Sequence, residues 1–214
     1  MKRLVIAFAV VTASSTCYAQ KSTFTTLRFG ELVQVDLPRN WTYLDPVVAS
    51  HLNTSSEAMG REVGINVPQG DNVVLVAGEA RDSTGKKRAT LRVSYRAEQS
   101  VSQADMLELA RLPPAETEAL LRPSADATVK AMLKVPGVKS YRATQLRFDT
   151  SGPLTCSHAR FEGEYGGVVM ISETWVCPIA KGNLKLSTSH EKALNSVYAP
   201  TLANVRRSLA PIGQ

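Results

Sequence analysis

Residues 154–179, LTCSHARFEGEYGGVVMISETWVCPI, carry the pattern that decides the predicted fold. Two strand-like runs, Leu154–Tyr165 and Val168–Ile179, lie on either side of Gly166-Gly167. Both central positions of a type I′ turn have positive φ, so a Gly-Gly pair between two such runs predicts a two-residue hairpin. We therefore expect the chain to reverse here and to pair the two runs as antiparallel strands.

The register of this hairpin brings two cysteines together. With Tyr165 facing Val168, Cys156 falls opposite Cys177. The position is a non-hydrogen-bonded one, where side chains on neighbouring strands approach most closely. The pair does not form a C-x-x-C redox motif. We therefore predict a Cys156–Cys177 disulfide with a structural role.

The same register predicts which side chains share a face of the hairpin. Arg160 falls opposite Glu173 and His158 opposite Trp175, both on the cysteine face, where Glu162 and Glu164 also lie. Paired carboxylates can perform acid/base chemistry, but an exposed face with a salt bridge is the simpler interpretation. The opposite face is expected to be the core side and collects Ala159, Phe161, Tyr165, Val168, Met170 and Val176.

The amino terminus has the pattern of a cleaved secretory signal peptide. A basic start at Lys2 and Arg3 precedes an apolar run over residues 4–13, and a stretch of small residues ends at Ala19. We predict cleavage between Ala19 and Gln20 and location in the bacterial periplasm. Loss of the two basic residues lowers the net charge from +6 to a modest +4.

The cysteine count fits an oxidising compartment. Cys17 precedes the predicted cleavage site, and Ser14-Ser15-Thr16 is a poor match to the segment ahead of a lipid-anchored cysteine. Its removal leaves Cys156 and Cys177, an even count for which a disulfide is the default.

Strand-like and helix-like segments are grouped along the rest of the chain. Antiparallel strand runs, with helices between and after them, predict an α+β fold with helices packed on an antiparallel sheet, in one domain over residues 20–214. The remaining predicted strands are Thr23–Phe29, Glu31–Leu37, Val73–Gly78, Ala89–Ala97, Ser140–Asp149 and Leu184–His190. The predicted helices are Asp45–Gly60, Ser102–Leu112, Ala115–Leu121, Ser124–Lys134 and one from about Pro200, whose last turn holds Arg206 and Arg207 where the helix dipole favours cations.

Two segments at opposite ends of this arrangement are informative. Leu37-Pro38-Arg39-Asn40-Trp41 ends a strand before a helix and a hairpin, and residues 184–189 lead into a helix closing on Arg207-Ser208-Leu209. This order resembles the PsbP-like domains, the α/β/α sandwich of photosystem II's PsbP protein and of DcrB-like bacterial exported proteins. The resemblance implies a protein that binds other proteins or assists assembly. It supplies no catalytic motif to transfer.

Catalytic, cofactor and metal motifs are not found in the sequence. His51, His158 and His190 have no spacing suited to zinc, and no G-x-S-x-G nucleophile elbow is present. A hydrolytic function would require His51 or His190 to meet a serine or a carboxylate in a cleft, and this hypothesis ranks last. We expect no enzyme activity, no cofactor and no metal.

Basic residues cluster around a predicted turn at Asp82–Gly85. A solvated turn is the expected interpretation, and an anion-binding hairpin tip is the alternative. With only two Trp and five Phe in the chain and no aromatic pattern among the basic residues, nucleic-acid binding is not expected. The cluster consists of Arg81, Lys86, Lys87, Arg88 and Arg92.

These observations favour a periplasmic, non-enzymatic protein that binds another protein, as an assembly factor or as the inhibitor of a delivered toxin. The alternative is a carrier of a lipid or other small apolar ligand between sheet and helices. An enclosed apolar pocket under residues 102–134 would favour the carrier, and a flat or charged surface would favour protein binding. We expect no stable membrane insertion, because no segment after the leader is apolar for long enough.

Overall fold

A computed structural model describes residues 23–44, 48, 72–98 and 101–212. The predicted signal peptide and its cleavage site lie outside these residues, as does the predicted helix Asp45–Gly60 apart from Val48. The described helices are α1 (Gln103–Leu109), α2 (Pro114–Met132) and α3 (Asn195–Ser208). The described strands are β1 (Phe24–Phe29), β2 (Val33–Pro38), β3 (Thr42–Tyr43), β4 (Val73–Arg81), β5 (Lys87–Arg96), β6 (Val138–Asp149), β7 (Cys156–Tyr165), β8 (Val168–Ile179), β9 (Gly182–Glu191) and β10 (Ala210–Pro211).

Two antiparallel sheets organise the described chain, which confirms the predicted α+β class. The large sheet has the strand order β3-β4-β5-β9-β8-β7-β6, and the small one has the order β1-β2-β10. Helix α2 packs against β6 on one face of the large sheet, whereas α3 packs against β9 and against β2 of the small sheet. The central core therefore lies between the large sheet on one side and α3 with the small sheet on the other.

The predicted hairpin has the expected register. Tyr165 pairs with Val168 and Arg160 with Glu173 across β7 and β8. The two turn glycines have φ angles of 56° and 81°, the left-handed region that only glycine adopts without cost. The tight Gly-Gly turn therefore sets every pair along the hairpin.

The predicted disulfide is present in the structure. Cys156 and Cys177 are bonded, with their Cα atoms 4.3 Å apart, and both side chains are fully buried. This separation is typical of non-hydrogen-bonded pairs on antiparallel strands. The disulfide thus closes the open end of the hairpin, opposite its Gly-Gly turn.

The prediction of which hairpin face forms the core is wrong. Cys156, Cys177 and Trp175 belong to the central core, because α3 and the small sheet cover the cysteine face. The opposite face is covered only in part by α2. Phe161 is therefore 3% exposed, whereas Tyr165 is 56% exposed.

Pro123 lies between the predicted helices Ala115–Leu121 and Ser124–Lys134, and Pro200 is the predicted start of the last helix, but both prolines lie inside helices. Pro123 lies within α2, which is one helix rather than two, and Pro200 lies within α3, which begins at Asn195. A proline inside a helix removes one backbone hydrogen bond. In α3 the burial of Leu202 and Val205 offsets that cost, because packing outweighs intrinsic propensity.

A buried ion pair joins α3 to the end of β6. Arg206 is only 1% exposed, and its Nε donates to Asp149 Oδ2 at 3.0 Å. Its Nη2 donates to the carbonyl oxygens of Asp149 and Leu154 at 3.1 and 2.8 Å. The prediction that Arg206 simply complements the helix dipole therefore misses its main role, because the side chain turns inward to a carboxylate distant in sequence.

Two further groups complete the environment of Asp149. Trp175 Nε1 donates to Oδ2 at 2.8 Å, and the Ser151 amide donates to Oδ1 at 2.9 Å. Burial alone would raise the pKa of Asp149, but the hydrogen bonds from Ser151 and the charge of Arg206 hold it below its ordinary value. A Cβ at Gly152 would lie 2.7 Å from Arg206 Nη1, so this position has no room for a side chain.

We expect the disulfide to contribute substantially to stability. Its cysteines are 21 residues apart, and closing a loop of this length should stabilise the protein by about 3 kcal/mol. The variant with both Cys156→Ala and Cys177→Ala should lose this amount in urea unfolding, and reduction of the wild type should give a similar loss. Free thiols that react without a reductant in protein isolated from its native host would contradict the prediction.

Candidate functional site

The chemically interesting side chains of the hairpin gather around Glu173 on the core face. Glu173 Oε1 lies 3.2 Å from His158 Nε2 and 3.8 Å from Arg160 Nη1. On its other side, Thr188 of β9 is directly opposite Glu173, and His190 is its diagonal neighbour. The sheet therefore assembles a cluster of polar residues, the Glu173 cluster, formed by these five residues.

His158 is fully engaged by its neighbours. Its ring stacks on Trp175 with 4.6 Å between centroids, as predicted. Arg147 Nε donates to Nδ1 at 3.2 Å, which leaves Nε2 to carry the proton and donate to Glu173. The side chain is 2% exposed, so its role in the structure is to connect β6, β7 and β8.

His190 is sealed inside the protein. It is fully buried, with Nε2 lying 3.1 Å from Asn195 Oδ1. Burial lowers its pKa, and the Asn195 hydrogen bond and the charge of Glu173 offset this only in part. His190 thus does lie near a carboxylate, but a substrate has no access to it. His51, the other candidate for hydrolysis, lies outside the described residues.

The three hairpin carboxylates do not form an acid/base pair. Glu162 lies 3.1 Å from Lys192, and Glu164 lies 3.1 Å from Lys139. Burial would raise the pKa of Glu173, but the hydrogen bond from His158 and the nearby positive charges keep it low. Each carboxylate therefore has its own positively charged or hydrogen-bonding partner.

Acidic residues neutralise the basic cluster at the β4–β5 turn. Arg88 binds Asp82 and Glu191 at 2.7 and 2.8 Å. The hydrogen bond from Thr84 contributes most to lowering the pKa of Asp82. The other pairs are Arg81 with Glu79, Lys87 with Glu79 and Lys86 with Glu191. The tip of this hairpin is therefore the solvated turn expected from the sequence. Arg92 lies apart from it, on the sheet.

The described ranges contain neither a metal-binding cluster nor a membrane-spanning helix. Within them, no group of three or more His, Cys, Asp or Glu side chains is arranged to hold a metal ion. Among the same residues, no helix combines the length and the apolar character needed to cross a bilayer.

An apolar groove opens at the Gly-Gly end of the hairpin, on the face that carries α2. It has a volume of about 290 Å³, and Tyr165, 56% exposed, stands at its edge. The Gly166 amide donates to the Gly137 carbonyl at 3.1 Å, which fixes the hairpin turn against the turn between α2 and β6. We call this feature the hairpin groove, and its apolar lining is Met132, Val135, Val138, Tyr141, Tyr165 and Met170.

Two glycines shape the walls of the hairpin groove. Gly137 has a φ of 86°. A Cβ there would lie 3.2 Å from the Tyr165 ring, so the ring packs directly against the glycine backbone. Gly163 likewise leaves space for Tyr141, which stacks on Phe161 with 5.3 Å between centroids. The groove was missed from sequence because Tyr165 and Met170 were assigned to the core.

The space beneath α2 is small. A depression of about 160 Å³ lies there, bordered by Leu121 and Ala125 of the helix and by Phe161 of the sheet. It is open to solvent and also has Ser124, Thr128 and Lys185 on its border. Ligand pockets usually measure about 300–1,000 Å³ and enclose most of the ligand, so this space does not suit a lipid chain.

Comparison with known proteins finds similar solved structures but no similar sequence. No family model matches the chain, and no curated protein matches its sequence. The solution structure of CyanoP, the PsbP of Synechocystis sp. PCC 6803, is 10% identical, covers 89% of this chain and 93% of its own, and gives a TM-score of 0.48.

Two further solved structures are similar over most of their length. LpqN of Mycobacterium tuberculosis, involved in cell envelope biogenesis, is 10% identical over 89% of this chain and 91% of its own, with a TM-score of 0.44. The immunity protein TplEi of the Pseudomonas aeruginosa T6SS is 12% identical over 91% of this chain and all of its own, with a TM-score of 0.41.

The buried His190 makes stability depend on pH in a defined range. The unfolded chain takes up a proton on this histidine near pH 6.5, whereas the lowered pKa keeps it neutral in the folded protein. Stability should therefore fall as pH drops below about 6.5, by up to about 1.4 kcal/mol per pH unit. Urea unfolding between pH 7.5 and 5.5 should show this fall in the wild type and a smaller one in His190→Gln. Equal pH slopes for the two proteins would contradict the prediction.

Proposed function

We propose that this chain is an exported, non-enzymatic protein of the bacterial periplasm that binds another polypeptide through the hairpin groove. The observation that carries the proposal is the exposed Tyr165 beside an open apolar groove. Aromatic residues with an apolar body and a polar tip are enriched at protein interfaces and dominate their binding energy. An assembly factor and an inhibitor of a delivered toxin would both use such a surface.

The dimensions of the groove favour a polypeptide over a lipid. A volume of about 290 Å³ accommodates one or two apolar side chains from a partner, and its open shape would leave a lipid chain in contact with water. The exposed ion pair between Lys139 and Glu164 gives the groove a polar rim. An apolar centre with a polar rim is the usual arrangement of a protein interface.

The arrangement of the histidines supports a function without catalysis. His158 is held by Arg147, Glu173 and Trp175, and His190 is fully buried, so both are accounted for by their roles in the fold. Export is supported by the predicted signal peptide and by a buried disulfide, which forms and persists in oxidising compartments.

Replacement of Tyr165 should weaken partner binding without affecting the fold. Three mature proteins would serve as baits in periplasmic extract of the native host: the wild type, Tyr165→Ala and the control Leu120→Ala. The control alters an apolar side chain of similar exposure on α2. One stoichiometric protein should be retained by the wild type and by Leu120→Ala. The purified partner should bind Tyr165→Ala with an affinity at least about tenfold weaker than its affinity for the wild type.

Two results of that experiment would overturn the proposal. One is a partner that Tyr165→Ala retains with unchanged affinity. The other is a lipid in the organic extract of the purified wild type without any protein partner, which would favour the carrier instead. Unchanged melting temperatures of both variants would show that the comparison concerns binding and not folding.

A further inference from the structure

The large sheet presents a patch rich in hydroxyl groups on the face opposite the core. Along β5 and β9, Arg92 is directly opposite Ser187, and Ser94 is directly opposite Lys185. Arg92 and Lys185 are therefore diagonal neighbours on one face, a relation that places Cα atoms roughly 7–8 Å apart. Six hydroxyl side chains share this face: Thr90, Ser94, Ser172, Thr174, Ser187 and Ser189.

These side chains line a depression of about 390 Å³. Met132 and Tyr141 border it on the α2 side, and Leu44 borders it on the β4 side. The volume is within the range of sites for small molecules. The depression adjoins the hairpin groove and shares Met132, Tyr141, Ser172 and Ser189 with it. Its remaining lining is more polar, with many hydroxyl groups and three cations, of which Lys87 is paired with Glu79. The two sites therefore suit different ligands.

The charges of this patch are not compensated as those of the β4–β5 turn are. Among the described residues, neither Arg92 nor Lys185 forms an ion pair with a carboxylate. Glu79 also borders the depression, but Arg81 and Lys87 bind it. Glu173 borders it too, and its carboxylate is engaged by His158 and Arg160 on the core side.

The surroundings of Lys185 disfavour its charged form. The closely packed surroundings lower the pKa of Lys185, and the positive charge of Arg92 lowers it further. Lys185 nevertheless keeps an exposed side chain that can reach a ligand. An anion between the two groups would relieve their repulsion, because it would give each an opposite charge.

We propose that this depression binds a small phosphate-bearing ligand. The guanidinium fork of Arg92 and the ammonium group of Lys185 would donate to the phosphate oxygens, in charge-assisted hydrogen bonds. Hydroxyl groups such as those of Ser187 and Thr174 would donate to the remaining oxygens or bind the hydroxyl groups of an attached polyol. The donors outnumber the two oxygens of a simple carboxylate, so phosphate is the better match.

Calorimetric titration of the mature, oxidised protein tests this site. The probes are inorganic phosphate, glycerol 3-phosphate and vesicles containing phosphatidylglycerol, with phosphatidylcholine vesicles and acetate as references. We expect saturable binding of one phosphate per protein. Arg92→Gln with Lys185→Gln should weaken it by at least about tenfold, since two charge-assisted hydrogen bonds are lost. The control, Lys86→Gln with Lys181→Gln, removes the same charge from the β4–β5 and β8–β9 turns, outside the lining of the depression, and should leave the affinity nearly unchanged.

The probes also distinguish the source of the phosphate. Tighter binding of glycerol 3-phosphate than of vesicles would identify a free metabolite, and vesicle binding that the Arg92 and Lys185 replacements abolish would identify a lipid headgroup. Either result upholds the site. The proposal is overturned if no phosphate probe binds saturably, if acetate binds as tightly as phosphate, or if both double variants lose affinity equally. If Arg92→Gln with Lys185→Gln has a lower melting temperature than the wild type, the single variant Lys185→Gln, at an exposed position, provides the same comparison.

Discussion

The buried ion pair between Arg206 and Asp149 is the interaction on which the arrangement of layers depends. Through one guanidinium group, α3 is tied to the end of β6 and to the loop that leads into Cys156. The indole of Trp175 shares the same carboxylate oxygen and adds β8 to the junction. A buried charge without its partner is strongly unfavourable, so α3 cannot leave this position at low cost. The disulfide lies beside this junction, because Cys156 pairs with Asp149 across β6 and β7, and it joins β7 to β8.

This junction determines which surfaces remain available for function. Because α3 and the small sheet cover the cysteine face, both histidines of the Glu173 cluster are buried and serve the fold. The other face of the large sheet is covered by α2 only over β6 and its neighbours. The hairpin groove and the patch around Arg92 and Lys185 both lie on that less covered face. A rigid core therefore supports two open sites of different chemistry.

The sequence predicts local geometry well, because local rules decide it. Gly166-Gly167 requires positive φ, and the hairpin register, including the position of Cys156 opposite Cys177, follows by counting. The face of the hairpin that becomes the core depends instead on α3, which is distant in sequence. Arg206 shows the same limit, since a cation in a last helical turn gives no sign of a partner 57 residues away. The hairpin groove was missed for a related reason. Tyr165 alternates along its strand as a core residue would, but its place at the end of the sheet leaves it exposed.

A double-mutant cycle on Asp149 and Arg206 tests most directly whether this ion pair holds the layers together. Urea unfolding would be compared for the wild type, Asp149→Asn, Arg206→Met and the double variant, with Glu118→Gln in the exposed pair with Arg122 as the control. Each single change at the junction should cost about 3–5 kcal/mol, the double variant should cost less than their sum by about 1–3 kcal/mol, and the control should cost less than about 0.5 kcal/mol. Single costs below about 1 kcal/mol, or costs that simply add, would contradict the central role of the pair.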